Sequence, residues 1–585
     1  MVAVISEEAY RALEEIVGPD YISRSPVVMD SYTFQFNADN MTGTNWGPFR
    51  PWAVILPGST EEVQAIVKAC NEYDVPFKAF STGWAIMAAP SCEGCLQIDL
   101  RRMNNVIEIN EENMYAVVEP YVACAVLQAE AMRRGLNCHI HGAGSNASIL
   151  ASATSVCGQG ATGVSTSHSN RNLLGVEWVT PAGEVLQLGS VGQNGEWFTG
   201  EGPGPSLRGA MRGFLGALGG IGVFTKCAVK LYPWYGPAEP EVEGTSPDYY
   251  LEELDRFAGF QVALKDWESF AEFCYKLGEA EIAFTACRNA PVVTLAAMVD
   301  SNEAFYELWQ AGIMQEIPYS MTVIIDAGSD REFEYRLRVF HDLVDSCKGV
   351  IMFASHIKPS YLKYQLRLLN WLRQRLGAVG AARKLARFVP PFGRIIREKG
   401  MDHFARTLVS AMIKGHMQAR AIFRFGGSFI TSFGALETID NAIEGAKAGI
   451  EVKLPYIEKG YLMEDTGDNA WGTLYEQGAL MHLEEVAAYD PSDPVAAKGA
   501  AEFMGDTIIV SRDRHLGFCF CGFSEVGHGL LSEATSNYRR WLVEIKRAFD
   551  PQDVSDGGYY ISEGKREVAA GPFGLTEYEE KQPPA

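Results

Sequence analysis

The chain has 585 residues and a net charge of −23, from 50 Lys+Arg against 73 Asp+Glu, with 47 % hydrophobic and 21 % charged residues. That balance is globular. It excludes wholesale disorder and a Gly-X-Y fibre, and the acidic excess excludes a chain that wraps nucleic acid, where affinity comes from neutralising phosphates.

The predicted elements begin with a capped helix at Ser6–Glu15. No basic-then-apolar signal occupies Met1–Tyr10, and 12 Cys are too few for a disulfide scaffold, so a reducing cytosolic compartment is the expectation. Strand-type runs follow at Pro51–Leu56, Val75–Phe80, Cys95–Leu100, Val106–Ile109 and Tyr115–Glu119. Helices are expected from Ser59 to Tyr73 and over Ala123–Arg134, and more strands at Val176–Thr180, Val185–Leu188 and Val223–Leu231. Pro233–Pro247, with four Pro and three acidic residues, reads as a linker. Beyond it come a helix at Trp267–Leu277, a strand at Tyr319–Asp326, a strand pair near His515–Phe523 and a helix at Leu531–Phe549. No run of about 18 uninterrupted apolar residues reads as a membrane span. Cys92-Glu-Gly-Cys95 has metal or redox spacing, but one such pair reads as structural thiols, and no metal site is expected.

Three glycine- and serine-rich stretches follow strands in the first 230 residues: Phe80–Ile86, Gly142–Gly160 and Gly219–Thr225. Small residues let backbone N–H groups approach a pyrophosphate, and none of the three is a G-x-G-x-x-G fingerprint. With Leu96-Gln-Ile-Asp-Leu, Met103-Asn-Asn-Val-Ile-Glu-Ile109, Ala116-Val-Val-Glu-Pro120, Asn172–Val179, Gly222-Val-Phe-Thr-Lys226 and Phe549-Asp-Pro551, their order resembles the vanillyl alcohol oxidase and p-cresol methylhydroxylase superfamily over roughly 50–233 and 510–552. The resemblance implies an α+β fold: a two-subdomain FAD-binding domain of the p-cresol methylhydroxylase type over 1–240, completed by 525–585, and an α+β cap over 241–524. It implies FAD held by Ser81, Thr82, Gly83, Trp84, Ala85 and Ile86, by Gly144, Ser145, Ser148, Ser152, Ser155, Gly158 and Gly160, and by Gly220, Ile221, Gly222 and Val223. The first loop carries Trp84, Ala85, Ile86 and Met87 where the family has more Gly. No His lies in 80–89, which argues against a doubly linked flavin, while Cys157 and His168 leave a single link open.

For catalysis the resemblance points to His515 and His528, with Arg514 as a substrate anchor, against plain structural roles for each. Arg512-Asp513 stands where phenol-oxidising relatives carry a Tyr-Arg clamp, so a para-phenol substrate is disfavoured. Between Lys358 and Arg420 there are fourteen Lys/Arg and two acids, a net +12 against −35 for the rest of the chain. Leu362, Leu366, Leu369, Leu372 and Leu376 repeat at helical spacing among those bases, which suits an anionic membrane surface or, alternatively, docking on the acidic body of this protein or of a partner subunit.

The expectation is therefore an FAD-dependent oxidoreductase (a flavoprotein dehydrogenase or oxidase) acting on a small alcohol or 2-hydroxy acid by hydride transfer to flavin N5. Electrons would pass to an acceptor protein or quinone, at a cytoplasmic, peripheral membrane location. A homo-oligomer is compatible with the sequence, and nucleic acid is not an expected partner. The alternatives are a flavin transferase like alkylglycerone-phosphate synthase and an electron-transfer subunit of a membrane complex.

Overall fold

The computed structural model describes residues 6–33, 49–83, 88–140, 144–156, 158–189, 195–197, 207–210, 216–244, 250–252, 254–299, 301–355, 358–400, 403–414, 428–468, 470–517, 524–532 and 534–561. The N-terminal part builds two sheets. In the first, Leu96–Asp99 lies between Ala53–Ile55 and Phe77–Phe80, parallel to both, and Ile22–Ser23 joins antiparallel at the edge. Parallel strands need a crossover, and helix Thr60–Glu72 supplies one. Ser59 caps it by accepting from the Glu62 amide at 3.2 Å, and Val63, Ile66, Val67 and Cys70 bury one face at helical spacing.

The second sheet is antiparallel, in the order Val106–Asn110, Tyr115–Val118, Val223–Lys230, Leu173–Val179, Val185–Leu188. Its core takes in helices Cys124–Met132 and Ile149–Thr154 and, from the far end of the chain, Leu542, Tyr559, Tyr560 and Ile561. Helix Tyr538–Phe549 leads into this return. Its Lys546 is fully buried and donates to Gly220 O at 2.9 Å, Asp550 Oδ2 at 2.6 Å and Ser555 O. Ser555 then pairs parallel with Phe77, adding the chain's end to the edge of the first sheet.

Between these halves runs a seven-stranded antiparallel sheet, ordered Val350–Ala354, Phe257–Ala263, Ser320–Asp326, Ala283–Asn289, Trp471–Tyr475, Leu480–Tyr489, Ser428–Glu437. Helices Trp267–Ala280, Asp330–Ser346 and Ile439–Glu458 contribute to the core on one face. The other face meets Met132, Ile140 and Ala161 of the N-terminal part through Phe257, Cys287, Ile324 and Trp471.

Three sequence expectations are corrected. His515 is not in a strand: helix Pro494–Asp513 runs up to it and ends with Arg514 as its cap, while 518–523 lie outside the described residues. The closing helix starts at Tyr538 rather than Leu531, because Ser536 and Asn537 hold left-handed φ of 54° and 57°. The basic segment is one run, Leu362–Lys399, kinked at Gly377 (φ 71°), and half of it belongs to the cap core through Tyr364, Leu372, Ala381, Phe388 and Ile395. Its charges have internal partners: Lys363 and Arg367 meet Asp345, Arg375 and Lys384 meet Glu316, and Arg394 meets Glu307. Leu362, Leu366, Leu369, Val379 and Val389 remain exposed.

Removing one partner of a buried ion pair costs about 3–5 kcal/mol, against roughly 0–1 kcal/mol for an exposed one. Lys546→Met is expected to lower stability by about 3–5 kcal/mol in urea unfolding, whereas Lys276→Met, whose partner Glu272 is exposed, should shift it by less than about 1 kcal/mol.

Candidate active site

The three loops meet at one end of the N-terminal part. Thr82 Oγ1 accepts from the Ser148 amide at 3.1 Å, joining the first to the second. The third lies on the second through Ala217 N to Thr154 O and Leu218 N to Ser155 O. Lys78, buried one turn before the first loop, donates to Leu218 O at 2.8 Å.

Several of the glycines are small for a reason other than phosphate. A Cβ on Gly222 (φ +89°) would lie 2.4 Å from Val179 O, and one on Gly160 would lie 2.1 Å from Ile140 O. Their amides are spent inside the protein, Gly222 N on Ser555 Oγ and Gly160 N on Tyr475 Oη. Gly220 N bonds Ala217 O, Gly158 N bonds Ser152 O, Ser152 N bonds Ser148 O, and Ser155 N bonds Ala151 O. Ile221 O accepts from the Trp178 indole at 2.7 Å, and Val223 is a paired strand residue. The amides of Thr82, Gly83 and Ser145 have no acceptor among the described residues. These three, beside Gly144 and Ser148, are the donors that fit an anionic pyrophosphate. Trp84, Ala85 and Ile86 lie outside the described residues, as does Cys157.

Across from the loops, the cap sheet presents polar side chains where an apolar interior is the norm. Asn289 Nδ2 donates to Thr322 Oγ1 at 3.2 Å, and Thr322 Oγ1 donates to Gln261 Oε1 at 2.6 Å. All three are fully buried. The relay has two open ends: among the described residues Gln261 Nε2 and Asn289 Oδ1 have no hydrogen-bond partner, nor does the nearby Thr285 hydroxyl. Cys287, opposite Thr322 in the register, donates to Ala161 O at 3.5 Å, so this face looks onto the second loop. Each unmet buried polar group costs about 1–3 kcal/mol, so a donor and an acceptor left open here fit a polar ligand. His482, opposite Thr473 on the same sheet, is buried against Trp471 at 5.7 Å and Glu484 at 3.2 Å. Sequence reasoning passed over His482, Gln261 and Asn289; Gln261 alone carries a local signal, a polar residue inside an otherwise apolar strand, while the strands of His482 and Asn289 hold other polar residues.

The catalytic candidates chosen from sequence are not drawn together by any hydrogen bond. Arg514 is exposed and paired with Glu451 at 2.7 Å, not with its neighbour Asp513, which pairs with Arg512 at 2.8 Å. His515 is exposed in the turn beyond, at φ 55°. His528 is buried on helix Ser524–Leu530, where burial and then the Arg539 charge push its pKa down to about 4. It is therefore neutral at physiological pH.

Residues 51–189 match the FAD binding domain family. An uncharacterized FAD-linked oxidoreductase of Mycobacterium tuberculosis is 29 % identical over 220 residues, 37 % of this chain and 44 % of that protein. A probable mitochondrial D-lactate dehydrogenase of Danio rerio is 28 % identical over 192 residues, 31 % of this chain and 35 % of that one. The chain thus aligns with less than half the length of these relatives. Among solved structures, p-cresol methylhydroxylase with substrate bound superposes with a TM-score of 0.67 at 16 % identity, over 96 % of this chain and 99 % of that one. Alkyldihydroxyacetonephosphate synthase follows the same fold with a TM-score of 0.57 at 14 % identity, over 94 % and 86 %. The fold is the p-cresol methylhydroxylase type with its cap, and the match to FAD-binding domains falls on residues 51–189.

Purified protein is expected to carry about one FAD per chain, by the reasoning that the unspent amides of the joined loops anchor one pyrophosphate. Gly83→Val, at φ +66° with its Cβ 2.3 Å from the tip of the Phe80 ring, should empty the site at a modest cost in melting temperature, while Gly222→Val, whose Cβ meets backbone at 2.4 Å, should lower it further. For His528 the folded pKa of about 4 lies below the ordinary histidine value of 6.5, so the unfolded chain binds the proton first. Stability should fall as pH drops from 6.5 towards 4, and His528→Asn should flatten that slope in urea titrations.

Proposed function

We propose that the chain is an FAD-dependent oxidoreductase that oxidises a small alcohol or 2-hydroxy acid, with 1–240 and 525–585 holding the cofactor and 241–524 covering the substrate. Bound FAD supplies the hydride acceptor at N5. The observation that carries the reading is the buried relay Asn289–Thr322–Gln261, open at a donor and an acceptor, on the cap face that looks onto the FAD-binding domain. A hydroxyl is both donor and acceptor, so it can meet both ends and fix which C–H faces inward. The closed, apolar surround of Phe257, Ile324 and Trp471 excludes water. His482 and the neutral His528 are the buried imidazoles that could take the hydroxyl proton. His515 and Arg514 would act from the surface, as a gate for an anionic substrate. The relative named as a D-lactate dehydrogenase supports the 2-hydroxy acid class.

For the electrons, we read the exposed face of helix Leu362–Lys399 as the contact with an anionic membrane carrying a quinone or an acceptor protein. Leu362, Leu366 and Leu369 stand exposed one helical turn apart, and Arg373, Arg383, Arg387 and Arg397 are exposed along the same helix. Among the described residues no helix is long and apolar enough to cross a membrane. The likeness to alkyldihydroxyacetonephosphate synthase keeps one second reading, a transferase without net electron flow, for which the same apolar-basic face would receive a lipid substrate.

Anaerobic mixing with a panel of alcohols and 2-hydroxy acids should bleach the flavin with one class. Asn289→Ala with Gln261→Ala should then slow that reduction about 10–100-fold, the equivalent of one or two lost hydrogen bonds. Alanine at His482, and at His515 and His528 together, separates the proton acceptors. Release of an acyl group without any acceptor would favour the transferase. Because deleting the helix would remove cap-core residues, the membrane contact is tested by Leu362→Gln, Leu366→Gln and Leu369→Gln together. This variant should keep its FAD and lose binding to phosphatidylserine vesicles; unchanged binding rejects the contact.

A further inference from the structure

We propose that Cys92, Cys95 and Asp556 form a binding site for a thiophilic divalent cation of the zinc class, which fastens the end of the chain beside the first glycine loop. The inference does not rest on the flavin reading. The ligand atoms of the three residues lie within 4.8 Å of one another, and all three are buried. The turn Cys92–Cys95, with Gly94 at φ +76°, holds two of them, and the third arrives from a segment 461 positions along the chain. A Cys-X-X-Cys turn completed by a remote ligand is the arrangement of structural zinc sites. The sequence shows the turn; only the fold shows the carboxylate.

The hydrogen bonds of Asp556 leave room for a cation. A carboxylate has about four lone-pair positions. The Ser91 hydroxyl and the Gly558 amide occupy Oδ1, and the Ser91 amide takes one position on Oδ2 at 2.6 Å. The remaining Oδ2 position faces Cys95 Sγ at 3.9 Å. Metal–S and metal–O bonds of about 2.3 Å and 2.0 Å in a tetrahedron place S and O about 3.5 Å apart, so the Cys95–Asp556 pair closes by a few tenths of an ångström, and the other separations, all within 4.8 Å, by about one ångström at most. The Ser91 and Gly558 donors would orient the ligating carboxylate, as outer hydrogen bonds do in metal sites.

The charges also balance. A divalent cation with two thiolates and one carboxylate carries −1, and the buried Lys78 ammonium, bonded to Leu218 O at 2.8 Å and Asp556 O at 3.2 Å, restores neutrality. Binding releases the two thiol protons to solvent and changes no oxidation state. The ring of Tyr559 covers Lys78 at 5.1 Å and closes this pocket of charge.

The test uses the full chain, reduced, freed of metal by a chelator and titrated with Co2+ and then Zn2+. One equivalent of Co2+ should give tetrahedral bands in the red, where FAD does not absorb, with a thiolate-to-cobalt charge-transfer band that Zn2+ abolishes. Cys92→Ser with Cys95→Ser should lose both bands while keeping the wild-type FAD content. Zn2+ should raise the melting temperature of the wild type and not of this variant. The proposal is overturned if the wild type shows no thiolate band at one equivalent. It is equally overturned if the variant shows the same bands, or if Cys92 and Cys95 prove to be a disulfide whose reduced form takes up no Co2+.

Discussion

The buried ammonium of Lys546 is the contact on which the rest of the N-terminal architecture depends. It reaches the third loop through Gly220 O and the chain's end through Asp550 and Ser555 O. A charge taken from water is tolerated only when its donors are met, and here two carbonyls and a carboxylate meet them. With that knot in place Ser555 reaches Phe77 and the Gly222 amide, and Asp556 reaches Ser91. The loops that would grip a pyrophosphate are thus held from behind by residues that never touch it. This is the support a preorganised site needs.

The cap works from the opposite side. Its outer face is sealed by helices and its inner face carries a short polar relay among large apolar rings. Such a relay costs stability unless something completes it, which is why it bears on function more than any exposed histidine does. The wall is also stiff: Gln261, Thr322 and Asn289 lie on three adjacent strands, so the open donor and acceptor hold their separation without loop motion.

Much of the fold was legible because it is written locally. The strands and helices of residues 50–230 follow from alternation, caps and turns, as with Ser59 before Thr60–Glu72. The resemblance supplied the arrangement of sheets and cap. What stayed hidden depends on pairing across hundreds of residues. Gly160 and Gly222 look like phosphate glycines until the fold shows Ile140 O and Val179 O where a Cβ would stand. Asp556 is one acid among many until it meets Ser91, and the basic helix looked unmatched until Asp345, Glu316 and Glu307 came opposite it. His515 was misplaced because a short apolar run after a helix does not distinguish a strand from a turn.

The separation of Ser91 from Asp556, 465 positions, has a consequence for biogenesis. At the usual 5–20 residues per second, a ribosome takes roughly 20–90 s to pass from one to the other. Through that interval the nascent N-terminal half lacks the Ser555 bridge to Phe77 and the lysine that steadies its third loop. It must wait with an open sheet edge, the kind of surface that chaperones shield. The cap, by contrast, finds all its strands between Phe257 and Tyr489 and can close while synthesis continues. The order of maturation is therefore inverted relative to the order of translation: the middle of the chain sets first, and the loops that would hold a cofactor are braced only once residues 546–556 have been made.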